Sequence, residues 1–134
     1  MALTKTHKQL VDEAMAVIET VPVADAIELH KDPNVVFVDI RDPRELEREG
    51  MIPGAVHATR GTLEFWIDPT SPDYREVFGS GKRFLFYCQS AWRSALATHT
   101  VQGMGLKPVS QLEGGLKAWK EAGGPVASYE PRKK

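Results

Sequence analysis

Cys88 is the sole cysteine of the chain, and the residues that follow it, Gln89, Ser90, Ala91, Trp92, Arg93 and Ser94, could make it a nucleophile. The apolar run FLFY ends at residue 87, directly before the sulfur, and small side chains, an arginine and a serine come next, where helix-like sequence begins. Backbone N–H groups at a helix start carry partial positive charge and hold anions. A thiolate or an anionic substrate would be stabilised there, and the thiolate is the reactive form. A buried lone cysteine is the competing reading, since a free thiol packs well as a small hydrophobe. His7, His30, His57 and His99 stand in no motif relation to Cys88, so a cysteine-histidine pair would have to arise through folding. The same scatter provides no zinc-ligand spacing, and no glycine-rich phosphate loop with its lysine occurs. No cofactor or metal is therefore expected.

The elements that must position the sulfur follow from periodicity. VVFVDI (35–40) and RFLFYC (83–88) are β-branched and aromatic runs typical of strands buried on both faces, and PVSQL (108–112) is a weaker one. IPGAVHAT (52–59) reads as a turn and a short strand. Helical spacing appears at 7–18, 23–30, 42–50, 62–68, 91–102 and 113–123, with Pro43 near one start and glycines at several ends. Strands alternating with helices imply a three-layer α/β/α domain around a mainly parallel sheet. In such sheets ligands bind beyond the carboxyl ends of the strands, which is where Cys88 would sit.

Bulk properties narrow the function. The 134 residues suit a single domain, and one cysteine excludes an intramolecular disulfide and agrees with a reducing compartment. A net charge of -1 gives no global field for nucleic acid or an anionic membrane, so any anion site must be local. Residues 1–21 contain charges throughout and no unbroken apolar segment of spanning or signal length. A soluble, cytoplasmic protein is expected, with an N-terminal helical extension over 1–21, a domain over 22–127 and a solvated tail over 128–134.

Three blocks in order, VDIRDPRELEREGMIPGAVHA (38–58), FLFYCQSAWRSALA (84–97) and LEGGLKAWKEAGGPV (112–126), resemble a single-domain rhodanese, a thiosulfate or related sulfurtransferase. The resemblance implies a five-stranded rhodanese-like sheet and transfer of a sulfane sulfur through a Cys88 persulfide. A small anionic donor such as thiosulfate would supply the sulfur, and cyanide or a thiol, including a protein thiol, would accept it. Ala91 stands where the family often has glycine, so a left-handed backbone there would be strained. Phosphatase and arsenate-reductase relatives of this fold place five residues between cysteine and arginine; here there are four, which favours single-sulfur transfer over a phosphate or arsenate cradle. A noncatalytic module docking through the N-terminal helix and Trp92 is the alternative from another class.

For the flanking residues two readings stand side by side. Arg93 would bind the donor's anionic end or brace the loop against an acidic neighbour, and Ser94 would donate toward the sulfur or cap its helix. Asp39 matches the family's strand-end aspartate and is expected to orient neighbouring loops, with Arg41 either joining that network or solvated. Arg60 would reach the pocket mouth to bind an anionic donor or acceptor, or only brace the site. His57 is read as a hydrogen-bonded core residue and Trp119 as core, while Trp92, Phe65 and Trp66 would be pocket wall or docking surface if exposed and packing anchors if buried. The oligomeric state is left open.

Overall fold

The computed structural model describes residues 2–129. Five parallel strands, β1 (Glu19–Val21), β2 (Val35–Asp39), β3 (Val56–His57), β4 (Arg83–Tyr87) and β5 (Val109–Leu112), form one sheet in the order β1-β5-β4-β2-β3. Among the described residues six α-helices connect or flank them: α1 (His7–Val17), α2 (Val23–Leu29), α3 (Pro43–Glu49), α4 (Leu63–Ile67), α5 (Trp92–Gly103) and α6 (Gly115–Glu121). The expected α/β class and parallel pairing are both present.

Strand alternation builds the two cores. From β4, Phe84 and Phe86, followed by Cys88, face a cluster with Ala97 and Val101 of α5 and Leu63 and Ile67 of α4. Leu85 and Tyr87 face the opposite cluster with Ala26 of α2 and Leu116 and Trp119 of α6. Burying each such aromatic or leucine side chain contributes about 1.5–3 kcal/mol, so the central strand is fixed in register by its own side chains. That register delivers the sulfur to the α5 side. Trp119 is fully buried as expected, with its indole N–H donating to Pro125 O at 2.7 Å.

One segment departs from the sequence reading. Glu19–Val21, assigned by sequence to the N-terminal extension, pairs with β5 as the sheet's edge strand. Three residues carrying a glutamate and a threonine give too short and polar a run to register as a strand. The extension's helix does pack on the domain: α1 lies along α5, and Gln102 Nε2 donates to Val17 O at 3.0 Å. The turn and short strand read in 52–59 are both present, the turn at Pro53–Gly54 and the strand at Val56–His57. Of the tail, residues 130–134 lie outside the described residues, while Tyr129 packs edge-on against His57 with ring centroids 5.7 Å apart. Among the described residues no helix is long and apolar enough to cross a membrane.

Candidate active site

Cys88 follows β4 at its carboxyl end and is 1% exposed. The loop turns at Ala91, which adopts φ 73° and ψ 2°, and α5 begins at Trp92. This left-handed conformation is the strain anticipated at the position where the family often has glycine, and it aims the first turn of α5 back at the sulfur. Ser94 N–H donates to Cys88 Sγ at 3.4 Å, and the thiol lies 3.5 Å from Ser94 Oγ. An L-residue in the left-handed region costs about 1–2 kcal/mol, part of which glycine returns as unfolded-chain entropy. Ala91→Gly should therefore stabilise the protein by about 0.5 to 1 kcal/mol, read as a higher urea midpoint at unchanged slope.

The Ser94 hydroxyl neither donates to the sulfur nor caps α5 here. It occupies the third position of the helix, accepts from the Cys88 thiol and donates to Gln111 Oε1 at 2.7 Å. Gln111, fully buried in β5, escaped the sequence reading. The available signal was a glutamine inside a strand covered on both faces, where a polar side chain must find partners.

Arg93 has an acidic neighbour. Its guanidinium grips Glu45 in a two-pronged pair at 2.7 and 2.8 Å, and Glu45 also caps α3 by accepting from Asp42 N–H at 3.3 Å. The Asp42-Pro43 start thus fixes a carboxylate that holds the first turn of α5. The bond from Arg93 holds the Glu45 carboxyl below its ordinary range, with burial opposing and the Asp42 N–H assisting. A depressed carboxylate contributes stability above its unfolded pKa of about 4.3 and loses it as pH falls through the folded value. Because Arg93 is partly exposed, Glu45→Gln should cost about 0.5 to 1 kcal/mol at neutral pH. The gap from wild type should close in acid, which urea titrations at the two pH values would measure.

Beneath the loop lies a buried ion pair. Asp39 and Arg41 are both 0% exposed and meet at 2.7 Å, and Arg41 also donates to Gly50 O at 2.7 Å and to Gln89 Oε1 at 3.3 Å. Asp39 thus sits in a network joining neighbouring loops, and Arg41 is buried where solvation was the simpler sequence reading. Its backbone adds a further contact, since Arg41 O meets His57 Nε2 at 2.7 Å. Tyr87, 5.9 Å beneath the guanidinium, accepts from Ile52 N–H, and burial together with the Asp39 charge drives its phenol above the ordinary range. From the other side α6 clasps the loop: Leu116 N–H donates to Cys88 O at 2.9 Å and Lys117 N–H to Gln89 O at 3.2 Å.

Three residues lie at the margin or apart. Ser90 is exposed at the loop crest, and Trp92 is 59% exposed beside the His7 ring at 5.3 Å, which makes it surface rather than a packing anchor. Arg60 does not join the loop. Its guanidinium donates to Glu64 at 3.0 Å and to Thr100 at 3.3 Å, two turns along α5 from the sulfur. The i,i+4 spacing to Glu64 on a short helical segment offers a nearer partner than the pocket.

The candidate site is thus a cysteine at a strand end, held by the N-terminus of the following helix above a buried aspartate-arginine network. The model of the rhodanese-like domain matches residues 22–122, and the chain belongs to that family. It is 32% identical over 97 residues to a protein named sulfurtransferase from Allochromatium vinosum, covering 72% of this chain and 82% of the relative. Among solved structures it resembles the polysulfide-sulfur transferase homodimer of Wolinella succinogenes, with a TM-score of 0.68 and 30% identity over 91% of this chain and 87% of the other. A Rhodopseudomonas palustris protein described as of unknown function and a possible tyrosine phosphatase superposes with a TM-score of 0.92 at 55% identity, covering 95% and 98% of the two chains.

Proposed function

We propose that the protein is a sulfurtransferase that carries a sulfane sulfur as a Cys88 persulfide. The observation that supports this most is the Ser94 N–H on Cys88 Sγ at the start of α5, 3.4 Å away, in a chain whose relatives include named sulfurtransferases. The Cys88 thiolate attacks the outer sulfur of an anionic donor, the bond to the rest of the donor breaks, and its electron pair leaves with the departing group, sulfite when the donor is thiosulfate. An acceptor, cyanide or a thiol, then attacks the terminal sulfur of the persulfide, and the Cys88 thiolate departs. This is covalent catalysis in two displacement steps. Burial of the sulfur to 1% exposure favours small donors and shields the persulfide from bulk water.

Phosphate-ester hydrolysis is the second reading, raised by the Rhodopseudomonas palustris relative. Four residues between Cys88 and Arg93, and the commitment of Arg93 to Glu45, both count against a phosphate cradle. The deciding experiment incubates the protein with thiosulfate and measures the intact mass, followed by thiocyanate release on adding cyanide. Gain of one sulfur and its loss to cyanide are expected. An unchanged mass under donor excess, together with hydrolysis of an aryl phosphate, would replace sulfur transfer with the second reading; an unchanged mass without hydrolysis would favour a noncatalytic docking role.

A further inference from the structure

The hydrogen bonds behind Ser94 run away from the sulfur. Ser94 Oγ donates its one proton to Gln111 Oε1 at 2.7 Å, and Gln111 Nε2 faces Met15 Sδ at 2.8 Å and Thr20 Oγ1 at 3.3 Å. This order suits the neutral thiol, which itself donates toward Ser94 Oγ. It does not suit a thiolate, which needs the hydroxyl proton that Gln111 holds. A thioether is a weak acceptor, so the buried amide N–H that meets Met15 is poorly satisfied in this orientation. The oxygen and nitrogen of a glutamine amide exchange places by one rotation about the last side-chain bond, and the network decides which orientation holds.

We propose that Gln111 is a positioning residue for sulfur transfer, reversing its amide together with Thr20 so that Thr20, Gln111 and Ser94 all donate toward Cys88 when its sulfur is charged. The inference rests on the sulfur-transfer reading. When the thiol proton passes to solvent, the Ser94 hydroxyl turns to the sulfur. The reversed amide then donates from Nε2 to Ser94 Oγ and accepts at Oε1 from the Thr20 hydroxyl. No atom is transferred within the chain; each group exchanges donor for acceptor. The same order serves the second displacement. As the acceptor bonds to the terminal sulfur and the S–S bond breaks, the electron pair moves onto Cys88 Sγ, where the aligned donors meet the developing charge. Met15 and Thr20 lie on α1 and β1, ahead of residue 22 where the family match begins, so the preceding segment of this chain completes the relay.

The full-length protein tests this through two readouts: ultraviolet thiolate absorbance of the reduced enzyme, and stopped-flow discharge of the loaded persulfide by cyanide. Thr20→Val and Gln111→Met should each lower thiolate absorbance and slow discharge by about tenfold, whereas Thr20→Ser, which keeps the hydroxyl, should stay within about twofold of wild type. Wild-type absorbance and discharge in a folded Thr20→Val protein would overturn the relay, and Thr20 decides the matter even where Gln111→Met fails to fold. If wild type takes up no sulfur, the functional reading falls instead, while the absorbance of the same variants still reads the relay.

Discussion

Cys88→Ser should reduce thiocyanate formation from thiosulfate and cyanide by about a thousandfold or more, with no added sulfur in the intact mass. A serine hydroxyl cannot hold a sulfane sulfur as a persulfide, and its alkoxide is far less accessible than a thiolate at neutral pH. The substitution is small in volume, and the new hydroxyl finds the Ser94 N–H and hydroxyl that now meet Sγ at 3.4 and 3.5 Å. The apolar neighbours Phe86 and Ala97 lose little contact. The variant is therefore expected to stay folded, which separates lost chemistry from lost structure. Retention of the wild-type rate by a folded Cys88→Ser protein would sink the persulfide mechanism.

What made Cys88 legible as the candidate nucleophile was contrast along the chain. An aromatic, β-branched run ended at a cysteine, and small polar residues with helical spacing followed, so both the strand edge and the helix start were written locally. The same locality explains what was missed. β1 has three residues and gains its strand identity only by pairing Glu19 to Ser110 and Val21 to Leu112, partners about ninety positions away. Arg41 read more simply as solvated because its burial depends on Gly50 O and Gln89 reaching it from other segments. Asp39 and Arg41 do share one strand-like i,i+2 spacing, and that alternation was the signal for a pair. Ser94 and Arg93 could be placed near the sulfur by spacing alone, whereas their partners Gln111 and Glu45 come from β5 and α3. Long-range hydrogen bonding, more than periodicity, decided the role of each loop residue.

Gly115→Ala should disable the site without touching any group that meets substrate. At φ +65° the position favours glycine, and an added Cβ would stand 2.5 Å from Cys88 O and 2.6 Å from Gln89 C and O. Those atoms are backbone, so no flexible side chain can move aside. Either α6 withdraws, losing the Leu116 N–H bond to Cys88 O at 2.9 Å and the Lys117 N–H bond to Gln89 O at 3.2 Å, or the loop moves with it. The left-handed conformation, the collision and the lost bonds together should cost about 3 kcal/mol, measured by urea unfolding. The catalytic effect should exceed what stability explains. A displacement of about 1 Å at a reacting group can cost about a hundredfold in rate, so kcat should fall by that order even where the variant is fully folded. Wild-type kcat in a folded Gly115→Ala protein would show that the α6 clasp does not position the sulfur. A loss confined to stability would assign Gly115 to packing, and would leave Ser94 and the start of α5 as the features that hold Cys88 in line for attack.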